Sequence, residues 1–156
     1  MIRPATPDDF YSITTIWHQG WSDAHLGHVP EGLHEHRQFA DFRARVPERA
    51  HDTTVATIDD RVVGFVMVHD DEVEQMYVAA EARGSGTATA LLQHAEMTIS
   101  GRFALAWLAV AAGNARARRF YTRNGWNDAG EFDYAAWVVE GGNFIVPSHR
   151  YEKRLS

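Results

Sequence analysis

A glycine-containing turn near the middle of the chain could bind an anion. Arg83-Gly84-Ser85-Gly86 follows a β-like segment, and apolar residues then recur at helical spacing. A loop that leaves a strand and opens a helix presents unpaired backbone N–H groups at the positive end of the helix dipole. Glycine also allows the backbone to approach a phosphate closely. The residues therefore suit a local anion site, to which Arg83 adds positive charge, although Gly84 and Gly86 could instead only form a turn.

Two common nucleotide-binding loops do not fit these residues. A Walker A loop requires a lysine directly after its last glycine, and the single lysine of the chain is Lys153. The dinucleotide fingerprint requires a glycine where Thr89 stands, and an N-terminal β-α-β unit where this chain has predicted antiparallel strands. An anion bound here would therefore belong to another kind of ligand.

Three segments together resemble the general-control-type N-acetyltransferase (GNAT) superfamily. Residues 83–88 are similar to its [Arg/Gln]-x-x-Gly-x-[Gly/Ala] pyrophosphate loop, and residues 72–78 to the strand before that loop. Residues 114–126 are similar to its Asn-x-x-Ala-x-x-Phe-Tyr-x-x-x-Gly-Phe segment. The chain departs at Ala80, where the family commonly has proline, and at Trp126, where it has phenylalanine. Neither change touches the amides that would bind phosphate.

The resemblance implies acetyl-coenzyme A (acetyl-CoA) as a cosubstrate that lies between two splayed strands. It implies that backbone groups of residues 76–78 pair with the pantetheine arm, that amides of residues 84–89 hold the pyrophosphate, and that Asn114 binds the pantetheine amides. The implied coenzyme-binding residues are Met76, Tyr77, Val78, Arg83, Gly84, Ser85, Gly86, Thr87, Ala88, Thr89 and Asn114.

The resemblance also implies direct attack by a substrate amine, and the chain has no cysteine that could form an acyl-enzyme. Tyr121 would protonate the departing thiolate, and the N–H of Met76 would face the thioester carbonyl. Strand alternation places Glu72 and Glu74 on one face unless a bulge intervenes, so either could act as the base, directly or through a water. Glu72 ranks first because histone-type members carry their base there. Both glutamates could instead belong to a solvated strand face.

The acceptor is expected in the least patterned region, since the family binds it with the first helices, their loop and the late strands. Aromatic and acidic side chains there would suit a cationic amine of a small molecule or a peptide. The candidates are Trp17, Trp21, Asp23, His25, His28, Glu35 and residues 134–144. The pairs at His25/His28 and His34/His36 are weak metal signals, and the chemistry needs no metal, so no metal site is expected.

The secondary-structure pattern has the order β-α-α-β-β-β-α-β-α-β-β. The sequence Thr6-Pro7-Asp8-Asp9 predicts a helix from Pro7 to about Gly20, and a weaker helix follows. Later segments predict a hairpin at 53–58 and 61–68, strands at 72–78 and 103–110, helices at 88–99 and 115–124, and closing strands at 126–134 and 143–153. The resemblance implies an α/β (α+β) fold with a mixed, mostly antiparallel sheet of six to seven strands flanked by helices and splayed at its centre, the acyl-CoA N-acyltransferase fold.

The composition suits one globular domain over residues 1–156. Hydrophobic residues make up 45% and charged residues 23% of the chain. The excess of 21 acidic over 15 basic residues gives a net charge of −6, which argues against nucleic acid or an anionic membrane as a partner. No apolar run reaches the ~20 residues of a membrane helix, and the N-terminus lacks a secretory signal, so a cytoplasmic location is expected. A homodimer is possible by resemblance, although no feature of the sequence marks an interface.

Three functional interpretations follow from these observations. The leading one is an acetyl-CoA-dependent N-acetyltransferase. The main alternative is a non-catalytic module that binds or senses acyl-CoA, and the third is a structural domain in which Gly84 and Gly86 only form a turn. Because a sensor needs neither Tyr121 nor Glu72, the presence of both favours the enzyme.

Overall fold

The computed structural model describes residues 1–25 and 27–155, and its elements follow the predicted order with one additional short helix at Glu31–His34. The helices of this part of the chain are α1 (Phe10–His25), α2 (Glu31–His34), α3 (Phe39–Arg49), α4 (Thr87–Ser100) and α5 (Ala115–Arg123). The strands are β1 (Ile2–Pro4), β2 (Thr53–Ile58), β3 (Arg61–His69), β4 (Glu72–Val78), β5 (Leu105–Ala111), β6 (Asn127–Trp137) and β7 (Asn143–Arg154). No helix within residues 1–25 and 27–155 is long and apolar enough to cross a membrane.

The first helix begins where the sequence predicts and ends later. Asp9 accepts a hydrogen bond from the backbone N–H of Thr6 at 2.8 Å, and residues 7–9 form a 3-10 turn that leads into α1. The helix then continues past the predicted end near Gly20. A Cβ at Gly20 would lie 2.5 Å from the ring carbon Cδ1 of Tyr77, so the missing side chain allows α1 to pack closely on β4. Tertiary packing here overrides the low helix propensity of glycine.

The strands form one mixed sheet in the order β1-β2-β3-β4-β5-β7-β6. Each neighbouring pair is antiparallel except β4 and β5, which are parallel and share only the register pair Glu72↔Trp107. By contrast, β3 pairs with β4 from Gly64↔Val78 to His69↔Glu72. The two central strands therefore diverge after Glu72, which confirms the predicted splay.

A bulge in β4 sets which residues face the first helices. The pairing of β4 with β3 changes from Met67↔Gln75 to Val68↔Val73, so Glu74 is the extra residue. Glu74 contacts Arg49 of α3, which lies on the same side of the sheet as Tyr77. The bulge therefore turns both Glu74 and Tyr77 toward the helices α1 and α3.

The sheet buries an apolar core on each face. The core beneath α4 and α5 includes Leu91, Leu92 and Trp126. The core beneath α1 and α3 is built around Trp17, whose ring centroid lies 5.0 Å from that of Phe42 and 5.8 Å from that of Phe65. Because both faces are covered, the gap between β4 and β5 is where a ligand can enter the sheet.

Candidate active site

Two neighbouring cavities lie where β4 and β5 diverge. The larger one, here called the cleft, has a volume of about 700 Å³ and is lined by the loop before α4 and by α5. The smaller one, here called the chamber, has a volume of about 140 Å³ and is lined by residues of α1, β4, β5, β6 and β7 and of the segment after α1. The residues that line both are Ala24, Met76, Tyr77, Asn114, Ala117 and Tyr121. The two cavities therefore adjoin at residues that include Met76 and Tyr121.

The loop before α4 presents a group of free backbone donors to the cleft. Gly84 and Gly86 have φ angles of +80° and +84°, which favour glycine, and Gly86 is the N-cap of the 14-residue helix α4. Within the described part of the chain, the N–H groups of Gly84, Gly86, Thr87, Ala88 and Thr89 make no hydrogen bond. A Cβ at either glycine would meet nothing within 4 Å, so the surface beside these amides is open. This end of the cleft is suited to a phosphate group.

Ser85 differs from its neighbours in this loop, because it is the one predicted coenzyme-binding residue that lines neither cavity. Its N–H donates to the carbonyl of Ala82 at 3.2 Å, and its hydroxyl donates to the same carbonyl. The hydroxyl also lies 2.7 Å from Oγ1 of Thr87. Ser85 therefore stabilises the conformation of the loop through hydrogen bonds to Ala82 and Thr87. Its predicted role as a ligand contact stays a prediction.

Helix α5 adds positive side chains that the sequence interpretation missed. Arg116, Arg119 and Arg123 all line the cleft, as does Arg83 of the loop. Residues three and four positions apart share one face of a helix, so the spacing of the three arginines of α5 was a signal that could have identified them. Together they give this acidic protein a local positive surface beside the free amides.

Tyr121 and Asn114 lie at the junction of the cleft and the chamber. The ring of Tyr121 packs against Trp126 and Tyr151, with centroid distances of 6.1 and 6.3 Å. Burial raises the pKa of the Tyr121 hydroxyl well above its ordinary value, so the phenol stays protonated at neutral pH. Asn114 caps α5, because its Oδ1 accepts from the N–H of Ala117 at 3.2 Å. Its side-chain NH₂ group remains available to a ligand.

The two glutamates of β4 have different surroundings. Glu74 lines the chamber, and its carboxylate lies 3.0 Å from Nη2 of Arg49 and 3.6 Å from Nη2 of Arg45. Glu72 lines neither cavity, and its Oε2 accepts a hydrogen bond of 2.6 Å from the hydroxyl of Tyr134, which does line the chamber. Burial raises the pKa of Glu72, although the bond from Tyr134 opposes the shift. Glu74 thus reaches the chamber directly but is held by two cations, whereas Glu72 connects to it through Tyr134.

The end of α1 forms one wall of the chamber. Trp21 and His25 stack with ring centroids 5.1 Å apart, and Nδ1 of His25 lies 3.0 Å from the carbonyl oxygen of Trp21. Because a carbonyl oxygen can only accept, Nδ1 carries the hydrogen and Nε2 keeps a free lone pair. Burial lowers the pKa of His25 to about 4, with a smaller contribution from the charge of Arg37. His25 is therefore neutral at pH 7.

A buried arginine, Arg37, also lines the chamber and was not predicted. Only 3% of its surface is exposed. Its Nη2 donates to the carbonyl of Trp137 at 2.6 Å, its Nη1 donates to the carbonyl of His36 at 2.9 Å, and its guanidinium carbon lies 3.7 Å from the centre of the Trp137 ring. Burial lowers the pKa of Arg37 to about 10, which still leaves it charged at neutral pH.

The predicted acceptor residues are only partly brought together. Those that line the cleft or the chamber are Trp21, Asp23, His25, His28, Tyr134, Ala136 and Trp137. Trp17 is fully buried in the core and Glu35 is exposed, and neither lines a cavity. Within residues 1–25 and 27–155, no group of three or more His, Asp or Glu side chains could hold a metal ion.

Sequence comparison identifies a family over most of the chain. The model of the acetyltransferase (GNAT) family matches residues 11–126. An uncharacterized N-acetyltransferase of Mycobacterium tuberculosis is 29% identical over 115 residues, which are 70% of this chain and 72% of that relative.

Solved structures share the fold at low sequence identity. An N-acetyltransferase of Rhodopseudomonas palustris superposes with a TM-score of 0.76 at 19% identity, over 99% of this chain and 94% of its own. The Salmonella typhimurium protein yncA, solved with its cofactor acetyl-CoA, gives a TM-score of 0.73 at 16% identity, over 100% of this chain and 94% of its own. The PaiA N-acetyltransferase of Thermoplasma acidophilum, solved in complex with coenzyme A, gives 0.70 at 18% identity, over 99% and 98%. These structures confirm the predicted fold class. The match of the family model over residues 11–126 establishes that the chain belongs to the GNAT acetyltransferase family.

Proposed function

We propose that the protein transfers an acetyl group from acetyl-CoA to a primary amine of a small molecule or a peptide, and that residues 1–156 form a single N-acetyltransferase domain. One observation carries this proposal: a cleft that ends in free backbone donors adjoins, at Met76 and Tyr121, a separate small chamber. That arrangement suits a reaction between two ligands that enter from different sides.

The residues of the cleft fit acetyl-CoA. The free amides of Gly84 and residues 86–89 suit a diphosphate, and the arginines of α5 suit additional phosphate oxygens. Beyond Glu72, β4 has no register partner on β5, so the pantetheine arm could pair with residues 76–78 as an added strand would. The bound coenzyme supplies an activated acetyl group in the form of a thioester.

Residues at the junction supply the groups that direct amine attack requires. The N–H of Met76 stabilises the carbonyl oxygen as negative charge develops on it. The new C–N bond forms as the C–S bond breaks, and Tyr121 donates a proton to the departing sulfur. A base takes one proton from the attacking amine, so the products are an amide and a free thiol.

Glu72 is the first candidate for this base. Its pKa is raised toward neutral pH, which makes its carboxylate a better proton acceptor. The hydroxyl of Tyr134 links this carboxylate to the chamber. Glu74 faces the chamber directly, but its carboxylate is already engaged by Arg45 and Arg49. Transfer from the amine to Glu72 would pass through the Tyr134 hydroxyl or through a water.

The variant Tyr121→Phe tests the proposed reaction. It removes the acid while keeping the ring that packs on Trp126, so we expect kcat to fall by about 10²- to 10³-fold, and the thermal stabilisation by acetyl-CoA to stay the same. Tyr11→Phe is the matched control, since Tyr11 is 75% exposed and lines neither cavity. Unchanged turnover in Tyr121→Phe would contradict the assigned acid. Stabilisation by acetyl-CoA without thiol release across a panel of amines would instead support a non-catalytic binding or sensing module.

A further inference from the structure

We infer that the acceptor is an aminocarboxylate, such as a free amino acid, and that Arg37 binds its carboxylate in the chamber. This inference rests on the proposed acetyltransferase function and names the class of its second substrate. It begins from a buried positive charge that has no negative partner.

The contrast between two buried arginines shows how unusual Arg37 is. Arg49, with 9% of its surface exposed, lies 2.9 Å from a carboxylate oxygen of Asp52 and 3.0 Å from one of Glu74. Arg37 is more deeply buried, yet no carboxylate among residues 1–25 and 27–155 lies within 4.0 Å of its guanidinium nitrogens. A buried charge is costly unless it is paired, so a partner from outside the chain is expected.

The nearby acidic groups are already engaged. Asp41 caps α3, where its Oδ2 accepts from the N–H of Gln38 at 2.8 Å. Glu74 pairs with two other arginines, and Glu72 accepts the hydroxyl of Tyr134. His25 is neutral and contributes no negative charge. Within the described part of the chain, the guanidinium of Arg37 therefore contacts no carboxylate, and the charge of Asp41 acts on it only from a distance.

Arg37 also retains hydrogen-bonding capacity. A guanidinium has five N–H donors, and two of its nitrogens each donate to a backbone carbonyl, from His36 and Trp137. The third nitrogen, Nε, is buried and makes no hydrogen bond in the structure. Nη1 and Nη2 each carry a second N–H group, and a carboxylate in the chamber would accept from these groups and compensate the charge.

The size of the chamber favours a small acceptor. Its volume of about 140 Å³ lies far below the roughly 300–1,000 Å³ of pockets for drug-sized ligands. Only one carbon separates the amine and the carboxylate of an α-amino acid, so both fit into one small space. At a peptide N-terminus this carboxylate has become an amide and has lost its charge. Arg37 therefore favours a free amino acid over a peptide.

The experiment compares matched acceptors on the unmodified full-length protein. Each of a panel of amino acids is assayed beside its amide and its decarboxylated amine, with thiol release from acetyl-CoA as the readout. We expect the best aminocarboxylate to exceed both counterparts by about 100-fold in kcat/KM, as for other desolvated charge pairs. The same compounds are then tested for thermal stabilisation of the protein in the presence of acetyl-CoA, where the amino acid should again exceed its amide. Equal or better performance of the amides in both measurements would overturn the inference.

Variants of Arg37 then test whether this residue itself binds the acceptor carboxylate. Arg37→Gln should remove the preference for the carboxylate by lowering kcat/KM for the amino acid about 100-fold, with little change for the amide. Arg37→Lys keeps the charge but not the fork and should recover part of the preference. Arg43→Gln, an exposed position on the adjoining helix α3, is the control and should leave the preference intact. An equal loss for the amino acid and the amide would show that Arg37 only braces the fold, and the comparison on the unmodified protein decides the matter if the variants do not fold.

The two proposals fail in different ways. If acetyl-CoA neither stabilises the protein nor releases thiol with any amine, the proposed acetyltransferase function is wrong. If acetyl-CoA is consumed equally well with acceptors that carry a carboxylate and with those that lack one, the proposed acetyltransferase function stands and only the role of Arg37 is overturned.

Discussion

The cleft and the chamber are built from different parts of the chain. The donors of the cleft come mostly from residues 76–123, and many of them are main-chain amides of a single loop and helix. The chamber is lined by side chains that range from Trp21 to Ser148 and belong to at least five elements. One region depends on local backbone geometry, and the other depends on how remote segments pack together.

This difference explains why the cleft suits a ligand group as widespread as phosphate, whereas the chamber suits one particular acceptor. Backbone amides at a helix N-terminus recognise a phosphate whatever the neighbouring side chains are. The charge and shape of the chamber change with each side chain that lines it, and here they depend on residues such as Arg37 and His25. The backbone of the fold therefore determines what the cleft can bind, while the choice of acceptor depends on individual side chains of the chamber.

The largest expected effect tests the backbone basis of the cleft. Gly86→Val places a β-branched residue at a φ of +84°, where left-handed backbone costs about 1–2 kcal/mol and would shift the adjoining amides. Since hydrogen bonds to charged groups contribute about 1.5–3 kcal/mol each, we expect the Kd for acetyl-CoA to rise about 100-fold, measured by calorimetry. Gly101→Ala is the control, because Gly101 has an ordinary backbone conformation at the other end of α4. An unchanged Kd in Gly86→Val would mean that these amides do not bind the coenzyme.

The next effect concerns a titratable side chain of the chamber. His25 has a pKa near 4 in the folded protein and about 6.5 in an unfolded chain. Between these values the unfolded state binds the extra proton, so the free energy of unfolding falls as the pH drops from 6.5 to 4. We expect the wild type to lose roughly 2–3 kcal/mol more over this window than His25→Asn, measured by urea denaturation at each pH.

An exposed histidine tests whether this dependence on pH belongs to the chamber. His51→Asn serves as the control, since the side chain of His51 is 72% exposed and lines neither cavity. Equal pH profiles of the wild type and His25→Asn would show that His25 is not held neutral by its surroundings.

Local signals predicted most of the fold. β4 has the predicted bounds, and the β2–β3 hairpin turns at Asp59 and Asp60, both with positive φ angles, where the sequence placed the turn. The end of α1 was predicted too early because it depends on the close contact of Gly20 with Tyr77, which is remote in sequence. Patterns of neighbouring residues cannot report such a contact.

The same distinction applies to the site. Met76, Asn114 and Tyr121 line both cavities, and each could be singled out from the sequence because it belongs to a recognisable local motif. Their roles stay predictions. Arg37 belongs to no motif, and it contacts the carbonyl of Trp137, 100 positions away in the sequence. Its position in the chamber depends on this long-range contact, so no local pattern of the sequence could predict it.

A smaller effect tests the positive side chains of the cleft. Arg119→Glu reverses one charge on the face of α5 that lines the cleft, and we expect the Kd for acetyl-CoA to rise about tenfold at low ionic strength. The difference from the wild type should shrink in 0.5 M salt, because exposed charges are screened. Arg43→Glu on α3 makes the same change in net charge away from both cavities. A similar loss of affinity in that control would assign the effect to net charge alone.

The smallest expected effect separates backbone from side chain within one loop. Ser85→Ala removes the hydroxyl that bonds to Ala82 and Thr87 but keeps the backbone N–H bond to Ala82, so the loop should lose at most about 1 kcal/mol of stability. Because Ser85 lines neither cavity, the Kd for acetyl-CoA should change by less than about twofold. Calorimetry on this variant beside Gly86→Val compares adjacent positions under the same conditions. A loss of affinity comparable to that of Gly86→Val would mean that the cleft, like the chamber, depends on a specific side chain, and its recognition could no longer be ascribed to backbone geometry.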